Sequence, residues 1–154
     1  MKILIDAMGG DNAPQAPVLG ALDAIKEYSD LSVTLVGDER LIRAAAQEAG
    51  RSGELDSIEI VHTDGVINME DDALSVVKQK SDSSMAVGLH MLADGKTDAF
   101  VSAGNTGALH AGSSLIVRRI RGIQRSAIAT VLPFAKPMLL IDSGANIEVQ
   151  PVYM

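Results

Sequence analysis

Cysteine is absent from the 154 residues of this chain, which removes disulfides, thiolate metal sites and a cysteine nucleophile in one step. Tryptophan is absent too, and only Tyr28, Phe100, Phe134 and Tyr153 are aromatic. The core must therefore be assembled from Val, Ile, Leu, Ala and Met, and the stacking platforms that hold single-stranded nucleic acid are missing. Basic residues are scarce. Thirteen of them against 20 acidic ones leave a net charge of −7, with no broad basic surface for a nucleic acid partner. No apolar run approaches the length of a membrane-spanning helix. The amino terminus enters a strand after a single lysine, without the apolar core or small-residue cleavage site of a signal peptide. A cytosolic protein is expected.

What is present is globular: 47% hydrophobic and 21% charged residues fall outside the disordered regime. No linker, charge block or low-complexity tract divides the chain, so a single α/β domain over residues 1–154 is expected. Apolar segments alternate in type. Strands are expected over 2–6, 31–36, 57–62, 99–102, 127–132 and 138–142, and helices over 14–28, 39–49, 71–80, 83–93 and 105–121. Gly50, Gly95 and Gly122 read as helix stops. The βαβα order predicts a largely parallel sheet with helices on both faces, a three-layer α/β architecture.

The most informative stretch is DAFVSAGNTGAL at 98–109. An apolar strand runs into a loop of small residues, and a helix-compatible segment follows at once. Such a junction points free backbone N–H groups and the positive end of a helix dipole at one spot, where phosphate or carboxylate binds readily. KILID at 2–6, leading into AMGGDNAP, and MLLID at 138–142, leading into SGAN, repeat the pattern. In open α/β sheets ligands bind beyond the carboxyl ends of the strands, so if the three strands are parallel neighbours their loops share one crevice. The competing reading is three tight turns, because Gly and Asn supply positive φ cheaply.

Other motifs are negative. No loop matches GxxxxGK[ST] or GxGxxG, so nucleotide binding has little support, and GxSxG is missing. His62, His90 and His110 are scattered without metal-ligand spacing. Glu70-Asp71-Asp72 reads either as the acidic start of a helix or as a divalent-metal site. Arg118, Arg119, Arg121 and Arg125 either complement the negative pole of the helix over 105–121 or dock an acidic partner. Lys78 and Lys80, before Ser83 and Ser84, either bring a cation and a second helix N-terminus toward the crevice or form a solvated turn with serine capping. With no evident nucleophile, direct transfer by positioning and electrostatic stabilisation is the economical chemistry.

Together the loops resemble the bacterial phosphate acyltransferase family of fatty acid and phospholipid synthesis. The resemblance rests on IDAMGGDNAP at 5–14, LVGDE at 35–39, KSDSSMAVG at 80–88, DAFVSAGNTGAL at 98–109, RIRGIQRSAIA at 119–129 and LLIDSGANIEVQP at 139–151. It implies an isocitrate/isopropylmalate dehydrogenase-like fold, related to phosphotransacylases. It also implies transfer of a long acyl group from acyl carrier protein to inorganic phosphate, without cofactor or metal, by a homodimer that associates peripherally with membrane. Phosphate would sit among backbone N–H groups beside Gly9 and Gly10 and near Ser102, Gly104, Thr106 and Gly107. Asn105 and Asn146 would be amide donors and Asp11 a base. Asp6 and Asp142 would orient them, with Gly144, Ser83 and Ser84 in support, and Arg118, Arg119, Arg121 and Arg125 would receive the acidic carrier. Family members are about twice as long, so the chain is expected to correspond to the N-terminal half. Two rivals stand beside this reading: a short-chain phosphotransacylase acting on coenzyme A thioesters, and a noncatalytic binding fragment.

Overall fold

A computed structural model describes residues 1–144 of the chain. The contiguous apolar run of KILID forms β1 (Lys2–Asp6), and the β-branched SVTLVG forms β2 (Ser32–Gly37). With β3 (Glu59–His62) and β4 (Ala99–Val101) they make a four-stranded sheet of order β3-β2-β1-β4, every pair parallel. Parallel neighbours require crossovers. These are supplied by α1 (Gln15–Glu27), α2 (Glu39–Glu48) and α3 (Ser84–Ala93). Strand alternation divides the interior. Val33 and Leu35 face α1 and α2, where they pack with Val18, Leu22 and Ile42. On the other face, Phe100 packs with Met85, Ala86 and Leu89 of α3. The result is a helix–sheet–helix sandwich, as expected for a three-layer α/β protein.

Helix ends follow local chemistry. Asp38 caps α2, accepting from the Arg40 and Leu41 amides, and Gly50 beyond it takes φ of 69°. Ser83 caps α3, accepting from the Ala86 amide. Two helices fall short of their expected spans. Residues 71–80 contain only a 3-10 turn, Ala73–Val77. The helix expected over 105–121 is α4 (Thr106–Gly112) followed by a π turn, Ser113–Val117, because Gly112 and the adjoining serines are weak helix formers. Arg118 then leaves with φ of 73°. The four arginines therefore lie outside the helix whose negative pole they were expected to complement.

Packing against β4 depends on one glycine. A Cβ on Gly88 of α3 would lie 2.2 Å from Cε2 of Phe100, so the helix approaches the strand as closely as a bare backbone permits.

Residues 1–117 form one compact unit, and a second begins at residue 118. In the second, β5 (Ala129–Leu132) and β6 (Met138–Ile141) pair antiparallel as a two-stranded sheet. The expectation of a largely parallel sheet therefore holds for β1 to β4 and not for this pair. A connection from Leu132 to Met138 is a hairpin loop, far shorter than the dozen or more residues of a parallel crossover.

Candidate functional site

The carboxyl ends of β1 and β4 are adjacent because Ile5 pairs with Val101. That register brings Asp6 beside Ser102, and their side chains join the two following loops. Asp6 is buried. Its Oδ1 accepts from the Met8 amide at 3.0 Å, and its Oδ2 accepts from the Ser102 hydroxyl at 2.8 Å. The Ser102 Oγ in turn accepts from the Gly104 amide at 3.2 Å. Among the described residues no cation pairs with Asp6, so these hydrogen bonds compensate the buried carboxylate.

Gly9 crosses directly over this network. A Cβ there would lie 2.7 Å from Asp6 Oδ2, 2.8 Å from Ser102 Oγ and 2.9 Å from the Gly104 nitrogen. Gly10 follows with φ of 110° against Ala103. Backbone thus lies on backbone, and the requirement for glycine here is spatial as well as conformational. The amides of Gly9 and Gly10, and those of Thr106 and Gly107 in the first turn of α4, find no protein acceptor among the described residues. Orphan donors at a helix start are where an anion is stabilised.

Asn105 has a different task from the donor role expected of it. Its Nδ2 donates to the carbonyls of Asn68, Met69 and Asp71, each at 3.1 Å, and its Oδ1 accepts from the Ala108 amide at 2.9 Å. Asn105 is 7% exposed. Asn105 caps α4 and fastens the 68–71 segment to it, so its amide hydrogens are directed at carbonyls and not at the crevice. The same segment carries an ion pair, with Lys80 Nζ 2.5 Å from Asp71 Oδ2 and 2.9 Å from the Val66 carbonyl. The Lys80 ammonium, helped by the Asn68 amide, holds the Asp71 carboxyl below the usual aspartate range. Asp72 accepts from the Leu74 amide. Asp71 and Asp72 are thereby used locally, as partner and cap. Ser83 and Ser84 are buried, with the Ser84 amide donating to the Gly65 carbonyl; Ser83 caps α3 and donates to the Lys80 carbonyl.

The loops open on a crevice of about 440 Å³, floored by Ile5 and Val101 and walled by the 9–13 loop, Ala103 and the start of α1 at Ala16 and Pro17. Asp11 is at its exposed rim. Of the residues read from the sequence as a site, Asp6, Gly9, Gly10, Asp11, Ser102, Gly104, Asn105, Thr106 and Gly107 come together on two neighbouring strands. Asp142 and Gly144 belong to the second unit, and Asn146 lies outside the described residues. Arg118, Arg119, Arg121 and Arg125 are exposed in the second unit, with Arg119 donating to the Gln124 carbonyl. The histidines stay apart. His62 Nδ1 accepts from the Glu39 amide, His90 is exposed, and His110 has a buried Nε2 without a partner among the described residues. Sequence reasoning missed the carbonyls of Asn68, Met69 and Asp71 that anchor Asn105. Backbone acceptors leave no residue-type signal.

Comparison with known proteins accords with these loops. The chain is 44% identical over 156 aligned positions to the phosphate acyltransferases of Bacillus cereus (strain ATCC 14579) and Bacillus cytotoxicus, and equally to that of Bacillus thuringiensis (strain Al Hakam). Each alignment takes in 100% of this chain and 46% of the relative. The chain thus spans about half the length of the curated relatives it matches. The family model described as fatty acid synthesis protein matches residues 1–154 throughout, and the chain belongs to that family.

Proposed function

We propose that this chain carries the phosphate-handling half of a phosphate acyltransferase. An acyl group passes from the thioester of acyl carrier protein to inorganic phosphate. A phosphate oxygen attacks the thioester carbonyl carbon, the carbon–sulfur bond breaks, and the carrier thiolate leaves and takes a proton. The products are an acyl phosphate and free carrier. Phosphate is already anionic and nucleophilic near neutral pH, so the protein's contribution is to position it and to stabilise developing oxyanion charge.

The observation that carries this reading is the pairing of two glycine-rich junctions at adjacent parallel strand ends, with the amides of Gly9, Gly10, Thr106 and Gly107 unengaged by acceptors among the described residues. Those donors receive phosphate or the thioester oxyanion. Asp6 and Ser102 position the loops, Asn105 positions the first turn of α4, and Asp11 at the rim is the base nearest the incoming phosphate. Ser83 and Ser84 support the site through the start of α3. The reading extends to Arg118, Arg119, Arg121 and Arg125 as the contact for the acidic carrier. It includes a homodimeric, cytoplasmic protein that meets the membrane peripherally, and a sheet completed in the isocitrate/isopropylmalate dehydrogenase-like manner. Among the described residues no helix is long and apolar enough to cross a membrane.

The test is incubation of the purified chain with acyl carrier protein bearing a long acyl group and radiolabelled phosphate. A labelled, hydroxylamine-sensitive acyl phosphate is expected, and more of it than from the corresponding coenzyme A thioester. A folded chain that neither binds phosphate saturably nor consumes thioester in a phosphate-dependent way refutes the assignment.

A further inference from the structure

The crevice beside the glycine junctions is poorly suited to the anion that the junctions themselves suit. Among the described residues its only charged lining groups are the carboxylates of Asp6 and Asp11, and no lysine or arginine lines it. Asp6 is committed to Met8 and Ser102, and Asp11 stands at the exposed rim. Beside the Asn12 amide and the backbone of Gly9 and Gly10, what remains is methyl and methylene surface. Ile5 and Val101 lie side by side on one sheet face, and Ala13, Ala16 and Pro17 face them across the cavity. Val101 is 51% exposed on β4, the end strand of the four-stranded sheet.

We propose that this crevice is the seat of the acyl chain, and that it sets the chain length the protein prefers. The proposal rests on the acyl-transfer reading above and adds to it a location and a ruler. A thioester carbonyl held at the amides of the two junctions directs its hydrocarbon along Ile5 and Val101 toward the first turn of α1. The crevice is open to solvent, and its volume of about 440 Å³, at roughly the 30 Å³ that a group of water's size occupies, holds about fifteen such groups, enough for a thioester carbonyl and sulfur with about a dozen carbons. Apolar lining with few polar groups is the usual character of a site for such a ligand.

The test is a series of N-acetylcysteamine thioesters from butyryl to hexadecanoyl, titrated calorimetrically into the chain, with methyl NMR spectra to locate binding. Affinity is expected to rise roughly fourfold per methylene, then level off near about a dozen carbons, where the crevice is full. The methyl signals of Ile5, Ala16 and Val101 should move. Ala16→Trp, at an exposed helical position, fills the cavity and should move the plateau to shorter chains with at least tenfold weaker binding of the dodecanoyl probe. Gln47→Trp, at an exposed position of α2 that lines neither this crevice nor the cavity beside it, should leave the series unchanged. A rise without a plateau, shifts confined to the 129–141 hairpin, or A16W behaving like Q47W overturns the proposal. Phosphate-dependent cleavage of the butyryl probe is read separately. Cleavage without length-dependent binding overturns the crevice alone, whereas length-dependent binding without cleavage supports the crevice and overturns the transfer reading.

Discussion

Replacement of Asn105 separates a positioning residue from a donor to substrate. Asn105→Ala removes the oxygen that caps α4 and the amide that serves three carbonyls. Loss of an N-cap costs about 1 kcal/mol, and leaving part-buried carbonyls without their donor adds about 1–2 kcal/mol. A total of about 2–3 kcal/mol is expected, a large fraction of the stability of a domain this size. Asn105→Asp keeps the capping oxygen but turns a carboxylate toward the same carbonyls. At neutral pH it should therefore cost at least as much as alanine, despite a favourable interaction with the helix start of about 0.3–1 kcal/mol. On acidification its protonated form regains a donor, and its deficit should shrink. Urea titration followed by circular dichroism at the helical band reads this directly, because α1 to α4 all lie within residues 1–117. If N105A stays within about 0.5 kcal/mol of the parent, the range of an ordinary surface substitution, the anchoring role is wrong. If stability is unchanged but phosphate affinity collapses, Asn105 is instead a ligand-binding donor.

Gly9→Ala forces a methyl into the Asp6–Ser102–Gly104 network; overpacking of this kind costs about 1–3 kcal/mol, and a lowered thermal midpoint together with weakened phosphate binding is expected. Gly88→Ala should be similarly destabilising through Phe100, and Phe100→Leu should restore part of the loss in the double variant, since touching residues are not additive; additive urea midpoints would refute the contact. The depressed Asp71 pKa gives a pH prediction. A carboxyl whose folded pKa lies below its unfolded value contributes stability above the unfolded value and loses it as pH falls through the folded one. The stability gap between the parent and Asp71→Asn should therefore be widest near neutrality and close in acid, and a gap that grows on acidification contradicts the Lys80 pairing.

The sequence by itself determined the parallel βαβα core. The apolar run of KILID, the β-branched SVTLVG and the capped, glycine-terminated α2 and α3 each state their structure locally, so propensity and tertiary packing agree. It also determined that two loops are glycine-rich and poor in side chains. Tertiary structure decided which loops meet. The register of Ile5 against Val101 places Asp6 at Ser102, a contact between residues 96 positions apart that no local pattern encodes. It likewise decided that the strand ending near Asp142 turns back on β5, although the short connection between them was already visible and excludes a parallel crossover. The task of Asn105 could come only from the fold, because its partners are backbone carbonyls, which every residue has and which position alone selects.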